Sequence, residues 1–232
     1  MYRLMNIAIC IIVASIFLSG CGEAQKTKNS NVPPTKADIA IDNGVAKSTQ
    51  NVFNFGTYYT DEGGTKVEPI PWKVLGEKDG FVLLLTEQII DVRPFNTART
   101  PTDWENSTLR KWLNNDFFNM VFTNREQQNM RAGTEEKDLV FLLSDEEVNQ
   151  YLAAEATRTT APTPFALKKG IYINGSGESA WWLRSPVADK TQTSYLSSGG
   201  TFGNRVHYID EKIIGVRPAI WVKSSYLSGD TD

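Results

Sequence analysis

The stretch Gly215-Val216-Arg217-Pro218-Ala219-Ile220-Trp221-Val222, close to the end of the chain, decides the expected fold class. Its valine, isoleucine and tryptophan residues favour an extended strand. Three further strands are predicted at 53–59, 69–75 and 81–85, and the turn signals between them indicate an antiparallel meander. Strands are therefore expected at both ends of the folded region.

Helices are expected in the middle of that region. Asp103 can cap a helix whose apolar residues recur on one face, namely Leu109, Trp112, Leu113 and Phe117. Capping boxes at Thr123 and Ser144, each followed by a glutamate three positions later, predict two more helix starts. Helices placed between strand-rich ends favour a single compact α+β domain over a doubly wound sheet.

The segment 153–177 is expected to be a long loop. Its apolar residues show no periodicity, Pro162 and Pro164 are expected to break any helix, and only 171–173 suggests a short strand. A glycine-rich hairpin is predicted at 197–203. Because long ordered loops often carry function, candidate binding residues are sought in this part of the chain.

An apolar run near the start of the chain, Ile7 to Leu18, ends in Leu18-Ser19-Gly20-Cys21. These twelve residues rise only about 18 Å as a helix, which is too little to cross a hydrocarbon core of roughly 30 Å. The ending resembles the lipobox of bacterial lipoproteins. That resemblance implies a signal peptide at 1–20, cleavage before Cys21, and lipid such as palmitate on Cys21 as the membrane anchor.

Two alternatives remain open for this segment: an ordinary secretory signal with a nearby cysteine, and a short uncleaved anchor. All three interpretations place the rest of the chain outside the cytoplasm, and the lipoprotein would lie at the cell membrane or the outer membrane. Residues 21–50, rich in Lys, Thr, Asn, Ser and Pro, predict a disordered tether. The folded domain is then expected at 51–223, followed by a polar tail at 224–232.

The folded region contains no cysteine, because the two cysteines of the chain are Cys10 and Cys21. This excludes cysteine nucleophiles, thiolate zinc sites and dithiol redox chemistry there. Removal of 1–20 takes away Arg3 and no acidic residue, so the formal charge changes from -3 to -4. Since no basic stretch alternates with aromatic residues, nucleic acid is not an expected partner.

Five phrases of the folded region carry a family resemblance. They are Pro71-Trp72-Lys73-Val74-Leu75, Pro94-Phe95-Asn96, Trp104-Glu105-Asn106-Ser107 with Leu109-Arg110 and Trp112-Leu113-Asn114, Trp182-Leu183-Arg184-Ser185-Pro186, and Gly215-Val216-Arg217-Pro218-Ala219. Together they resemble the bacterial domain of unknown function 6273. The tryptophan-bearing strands, central helices and closing Gly-Val-Arg strand are also similar to the C-type-lectin-like superfamily. This second resemblance implies an α+β domain whose first and last strands pair.

Calcium-dependent lectins and formylglycine-generating enzymes belong to that superfamily, and neither activity fits the chain. Glu68-Pro69-Ile70 lacks the third oxygen ligand of the lectin calcium motif, and the folded region lacks the catalytic cysteine pair. A catalytic triad is poorly supported, since His207 is the only histidine. The sequence therefore leads us to expect no catalytic residue, metal or cofactor.

Nine loop residues supply the aromatic faces and hydrogen-bonding groups that bind sugars and peptides. They are Tyr172, Asn174, Glu178, Trp181, Asp189, Gln192, Tyr195, Arg205 and Tyr208. The alternative is that they are ordinary solvated loop residues. Structural roles are expected for Arg184, Arg217, Trp72, Trp112 and Trp182. For the two arginines, contact with a ligand carboxylate or phosphate is the less favoured alternative.

The leading hypothesis is a membrane-anchored lipoprotein whose domain binds an extracellular glycan or protein without catalysis. One alternative is an envelope glycan hydrolase with two catalytic carboxylates, although no motif singles out such a pair among the 27 acidic residues. Another is a structural component of an envelope complex, which a broad exposed apolar patch would favour.

Overall fold

The computed structural model describes residues 39–42, 45–48, 52–203 and 207–229. The predicted signal peptide, Cys21 and most of the predicted tether lie outside these residues. Within the tether segment, strands β1 (Ile39–Asp42) and β2 (Val45–Ser48) pair as an antiparallel hairpin. None of the helices in the described ranges is both long and apolar enough to cross a membrane.

Residues 52–203 and 207–229 form a mixed α+β domain with many short strands. They are β3 (Val52–Tyr59), β4 (Val67–Lys78), β5 (Phe81–Thr86), β6 (Asp91–Val92), β7 (Met130–Arg131), β8 (Val140–Phe141), β9 (Trp181–Trp182), β10 (Tyr195–Leu196), β11 (Phe202–Gly203), β12 (Gly215–Val216) and β13 (Ala219–Lys223). One sheet has the order β3-β4-β5-β13-β7, with β8 also paired to β13, and the other has the order β11-β10-β9-β12-β6. The predicted α+β class is confirmed.

The helical segments are short and lie mostly between β6 and β9. They are Thr108–Trp112, the π-helical Leu113–Phe117, Phe118–Val121, Asn124–Gln127, Asp145–Tyr151, the 3₁₀ turn Glu155–Thr157, Pro164–Lys168 and, near the end of the described chain, Ser224–Leu227. Both predicted capping boxes are present: the hydroxyls of Thr123 and Ser144 accept the backbone N–H three residues later, and the glutamate there accepts in return.

The stretch 215–222 forms two strands instead of one. Gly215 and Val216 pair with β6 and β9 in one sheet, whereas Ala219 onward pairs with β5 along its whole length in the other. Between them, the buried Arg217 guanidinium donates to the backbone carbonyls of Thr86, Glu87 and Arg158 at 2.9, 3.2 and 3.4 Å. This segment therefore carries the chain from one sheet to the other.

Both sheets contribute to one hydrophobic core. Three of its largest side chains, Trp72, Trp181 and Trp182, are fully buried. Each indole N–H donates to a backbone carbonyl, that of Phe55, Arg158 and Arg93 respectively, at 2.6 to 3.0 Å. The hydrogen-bonding needs of these three buried indoles are thus met by backbone carbonyls.

Asp103 does not cap the first helix, contrary to the sequence prediction. The N-cap is Ser107, whose hydroxyl accepts the backbone N–H of Arg110 at 3.1 Å. Asp103 instead accepts the backbone N–H of Asn106 at 3.3 Å and stabilises the preceding turn. Aspartate and serine are both good N-cap residues. Because the helix begins at Thr108, the N-cap position falls on Ser107.

The segment 153–177 also contains more helix than predicted. Pro164 begins a helix, with Thr163 as N-cap accepting from Ala166 at 3.2 Å, because the first helical turn has no need of the missing N–H. Residues 171–173 are described and form no strand.

The pairing of the first and last strands of the domain, implied by the lectin-like resemblance, is wrong. Strand β3 pairs with β4 at one edge of its sheet. Strand β13 pairs with β5, β7 and β8. Strands β4 and β5 form a hairpin that lies between β3 and β13 in the sheet.

Candidate functional site

The first group of predicted binding residues, Tyr172, Asn174 and Glu178, shares one loop. The Asn174 side chain accepts the backbone N–H of Ser176 and of Glu178, both at 2.9 Å, and donates to the carbonyl of Ser198 at 3.3 Å. The loop is therefore braced from within and against the hairpin of β10 and β11. Tyr172 projects from it with 67% of its surface exposed.

The second group, Asp189, Gln192 and Tyr208, lies at a different loop cluster. Gln192 forms an isolated antiparallel bridge with Tyr208, and its N–H donates to the carbonyl of Asp189 at 2.9 Å. The guanidinium of Arg99 lies 3.9 Å from the Tyr208 ring centroid and donates to Asp210 at 2.8 Å. One face of the Tyr208 ring is thus already covered.

Trp181 and Tyr195 cannot act as exposed binding residues, which corrects the sequence prediction. Trp181 is fully buried in β9, between β10 and β12. Tyr195 in β10 is buried against Trp182 and His207, with ring centroids 6.4 and 4.8 Å away. Paired strands on both sides and packing on both faces leave these rings no free surface. Arg205, the ninth predicted residue, lies outside the described residues.

The residues expected to be structural have well-defined partners. Arg184 forms a forked ion pair with Glu147, with Nη2 and Oε1 2.9 Å apart, and also donates to the carbonyl of Leu142. Arg217 is buried against carbonyls, and burial lowers its pKa to about 9, so the guanidinium stays charged at neutral pH. Trp112 differs from the other two tryptophans, because it is only half-buried and stacks against Arg93 at 3.9 Å.

A buried carboxylate that the sequence did not single out organises a polar cluster. Asp91, at the start of β6, has no exposed side-chain surface and accepts from the Tyr58 hydroxyl at 2.8 Å. The Nε of Arg93 lies 3.2 Å from Oδ2, and Nζ of Lys169 bonds Oδ1. Burial, followed by the charge of Asp91, raises the pKa of Tyr58 well above its usual value. Tyr58 is therefore a neutral donor, and one carboxylate faces two cations.

Three distant elements bring this cluster together. Strand β3 carries Tyr58, strand β6 carries Asp91, and the end of the helix Pro164–Lys168 carries Lys169. Tyr58 and Lys169 are 33 and 78 positions from Asp91. The sequence signal for a buried carboxylate was an aspartate directly after the apolar Ile89 and Ile90. This signal does not indicate which residues pair with the aspartate.

An open cleft of about 480 Å³ lies between the β3–β4 turn and the start of the helix at Pro164. It is lined by Thr60, Asp61, Lys66, Glu68, Pro69, Pro71, Gln88, Thr163 and Pro164. Backbone N–H donation from Lys66, with further bonds from Thr65 and Gly63, lowers the pKa of Asp61 to about 2. Bonds from Lys66 and Thr60 also lower the pKa of Glu68. Both carboxylates of the cleft are therefore charged at neutral pH.

The described residues contain no group of three or more His, Cys, Asp or Glu side chains that could hold a metal ion. No curated protein and no solved structure shows a significant match to the chain. A family model, described as a domain of unknown function (DUF6273), matches residues 79–224, from the turn before β5 to the residue after β13. Because this match covers more than half of the chain, the protein belongs to the DUF6273 family.

Proposed function

We propose that this protein is an extracytoplasmic lipoprotein, anchored through lipid on Cys21, whose folded domain binds an extracellular glycan or protein without catalysis. The observation that carries the proposal is the braced loop around Asn174, which holds the Tyr172 ring in solvent. An exposed aromatic ring on a rigid loop supplies contact area at a low cost in ordering entropy.

The surroundings of Tyr172 support a binding surface. Ile173, next to it in the loop, and Phe202 in β11 are also exposed apolar side chains. The bond from Asn174 to the Ser198 carbonyl ties the loop to the β10–β11 turn that precedes Phe202. Exposed apolar side chains flanked by hydrogen-bonding groups are typical of surfaces that bind partners.

The charge state of the cleft favours binding over hydrolysis. A glycosidase needs one carboxylic acid that keeps its proton near neutral pH, which requires a raised pKa. Asp61 and Glu68 have lowered pKa values instead, because N–H and Lys66 donors stabilise the charged form. The cleft is therefore a poor candidate for paired-carboxylate catalysis.

The lectin-like resemblance of the sequence supports the same assignment in one respect. It implies a long irregular loop region that presents a variable surface, and the loop around Asn174 lies in an irregular part of the chain. Since β3 and β13 are not partners, the proposal concerns the use of the loops and not the strand order.

The anchor is tested by growing cells that produce the full chain with labelled palmitate. We expect label on the protein, loss of label in Cys21→Ser, and unchanged labelling in the matched control Cys10→Ser. A Cys21→Ser protein that keeps its label would contradict the lipid anchor.

The binding role is tested by screening the full chain on glycan arrays and by cross-linking to extracellular proteins. We expect a ligand whose binding weakens in Tyr172→Ala and persists in Met120→Ala, an equally drastic change at an exposed helix residue. Absence of a ligand in both screens, together with measurable hydrolytic turnover, would overturn the proposal.

A further inference from the structure

Arg93 and Lys169 form a cationic site that reaches the surface of the domain. Both donate to Asp91, which is fully buried, while 38% of the Arg93 side chain and 32% of the Lys169 side chain are exposed. Because Tyr58 is neutral, two positive charges face one negative charge, and the cluster carries a formal charge of +1. A partly buried site with an excess cation attracts anions.

The guanidinium of Arg93 keeps bonding capacity for a ligand. Its Nε donates to Asp91, whereas Nη1 and Nη2 meet no acceptor within the described ranges 52–203 and 207–229. The Trp112 ring lies 3.9 Å from Cζ and stacks against the guanidinium. A stacked guanidinium presents its remaining N–H groups in one plane, which suits the two oxygens of a carboxylate, sulfate or phosphate.

Asp91 also holds both cations in place before any ligand arrives. Its oxygens accept from Arg93, Lys169, Tyr58 and the backbone N–H of Val92. Long basic side chains normally lose rotamer entropy when they bind an anion, and a fixed pair loses less. Phe165, 5.1 Å from the Lys169 ammonium, gives the site a second aromatic wall besides Trp112.

Arg99 provides an internal comparison. Its guanidinium also stacks on an aromatic ring, at 3.9 Å from Tyr208, and its Nε also donates to an aspartate, Asp210. That pair has one cation for one carboxylate and therefore no excess charge of its own. The second cation, Lys169, distinguishes the cluster at Asp91.

We propose that an anionic group of the ligand, a carboxylate or a compact oxyanion such as sulfate or phosphate, binds between Arg93 and Lys169. The inference rests on the proposed binding function and specifies the chemistry of its ligand. The partly exposed rings of Trp112 and Phe165, which contact the two cations, flank this position.

The test uses the full chain in nonionic detergent at constant ionic strength. Binding is measured by calorimetry and tryptophan fluorescence with D-glucuronate, with inorganic sulfate and phosphate, and with uncharged D-glucose as the match to glucuronate. We expect the anions to bind and glucose not to bind. Tighter glucuronate binding identifies a carboxylated ligand, and tighter sulfate or phosphate binding identifies a sulfated or phosphorylated one.

The variants Arg93→Gln and Lys169→Gln are each expected to raise the anion Kd about tenfold or more, since each loses a charged hydrogen bond. Each variant leaves Asp91 with the other cation, so the buried carboxylate stays paired and the fold is expected to persist. Arg93→Lys, which keeps the charge and loses the planar fork, is expected to weaken binding less.

Arg99→Gln is the matched control and is expected to leave the anion Kd unchanged. The proposal is overturned if no anion binds, or if Arg99→Gln weakens binding as much as Arg93→Gln. A full chain that binds a neutral glycan or a protein but none of the anions would overturn this inference and leave the proposed function standing.

Discussion

At the scale of single residues, Gly215 in β12 lies close to Ile89 and Ala180. A β-carbon at this position would lie 2.4 Å from Cγ2 of Ile89 and 3.1 Å from the carbonyl oxygen of Ala180. Neither contact can relax easily, because Ile89 is fully buried and Ala180 precedes β9. This position is therefore limited to glycine because there is no space for a β-carbon, and not because of its backbone conformation.

We predict that Gly215→Ala lowers the free energy of unfolding by about 1 to 3 kcal/mol, as overpacking in a core typically does. Urea denaturation followed by tryptophan fluorescence measures the change. Gly175→Ala is the matched control, because a β-carbon there would meet nothing within 4 Å, and it is expected to stay within about 0.5 kcal/mol of the parent chain. Equal effects of the two substitutions would contradict the packing argument.

At the scale of elements, the capping box at Thr123 has a second role that its motif does not reveal. Glu126 Oε2 accepts the backbone N–H of Thr123, while Oε1 accepts the N–H of Gly56 at 2.8 Å. Gly56 lies at a bulge of β3 with φ +66, where a β-carbon would meet Val121 at 2.6 Å. The local motif could be predicted, whereas its contact with the edge strand depends on the folded sheet.

Strands β3 and β4 precede the residues that the family model matches, yet they belong to the same sheet and core. The second half of β4 pairs with the whole of β5, and β4 supplies the fully buried Trp72. Strand β3 supplies Tyr58, which donates to the buried Asp91. The folded core therefore extends beyond the residues of the family match and includes β3 and β4.

We predict that the chain lacking 52–78 does not fold cooperatively. Loss of Trp72 alone costs about 3 to 5 kcal/mol, and the unpaired backbone of β5 adds about 1 to 3 kcal/mol for each buried group, against a typical total stability of 5 to 15 kcal/mol. Near-ultraviolet circular dichroism and thermal unfolding measure the outcome. Deletion of 39–48, in which β1 and β2 form a separate two-stranded sheet, is the control and is expected to unfold as the full chain does. A cooperative transition without 52–78 would show that the domain begins later.

At the scale of the whole molecule, several surface carboxylates contribute to the dependence of stability on acidic pH. Hydrogen-bond donors near them lower the pKa values of Asp61, Glu68, Asp103, Glu146 and Asp189. A lowered folded pKa stabilises the native state above the unfolded pKa, and this contribution is lost as the pH falls through the folded value.

We predict that stability declines as the pH falls, and for Asp61 the window runs from 3.8 to about 2. Urea denaturation at a series of pH values measures it. Asp61→Asn is expected to remove part of the pH dependence, and added salt to weaken it, because these groups are exposed. A pH dependence that is unchanged in Asp61→Asn would contradict the assignment.

The alkaline limit depends on the buried phenol of Tyr58. Burial and then Asp91 raise its folded pKa above the ordinary value of 10.0, so the stabilisation is complete below pH 10 and is lost as the pH rises further. We predict that Tyr58→Phe, although less stable at neutral pH, loses less stability between pH 9 and 11 than the parent chain, as measured by urea denaturation. Tyr172→Phe, at the exposed loop, is the control and is expected to retain the parent profile.

The α+β class, the strands β3, β4 and β5, and both capping boxes could be predicted from the sequence, because these features depend on residues a few positions apart. It also predicted structural partners for Arg184 and Arg217, but not that Arg217 lies where the chain passes between sheets. The tertiary structure established that 215–222 divides into two strands, and that Trp181 and Tyr195 are buried. It alone brought Tyr58, Arg93 and Lys169 to Asp91, since the burial of one carboxylate selects its partners by proximity in space and not along the chain.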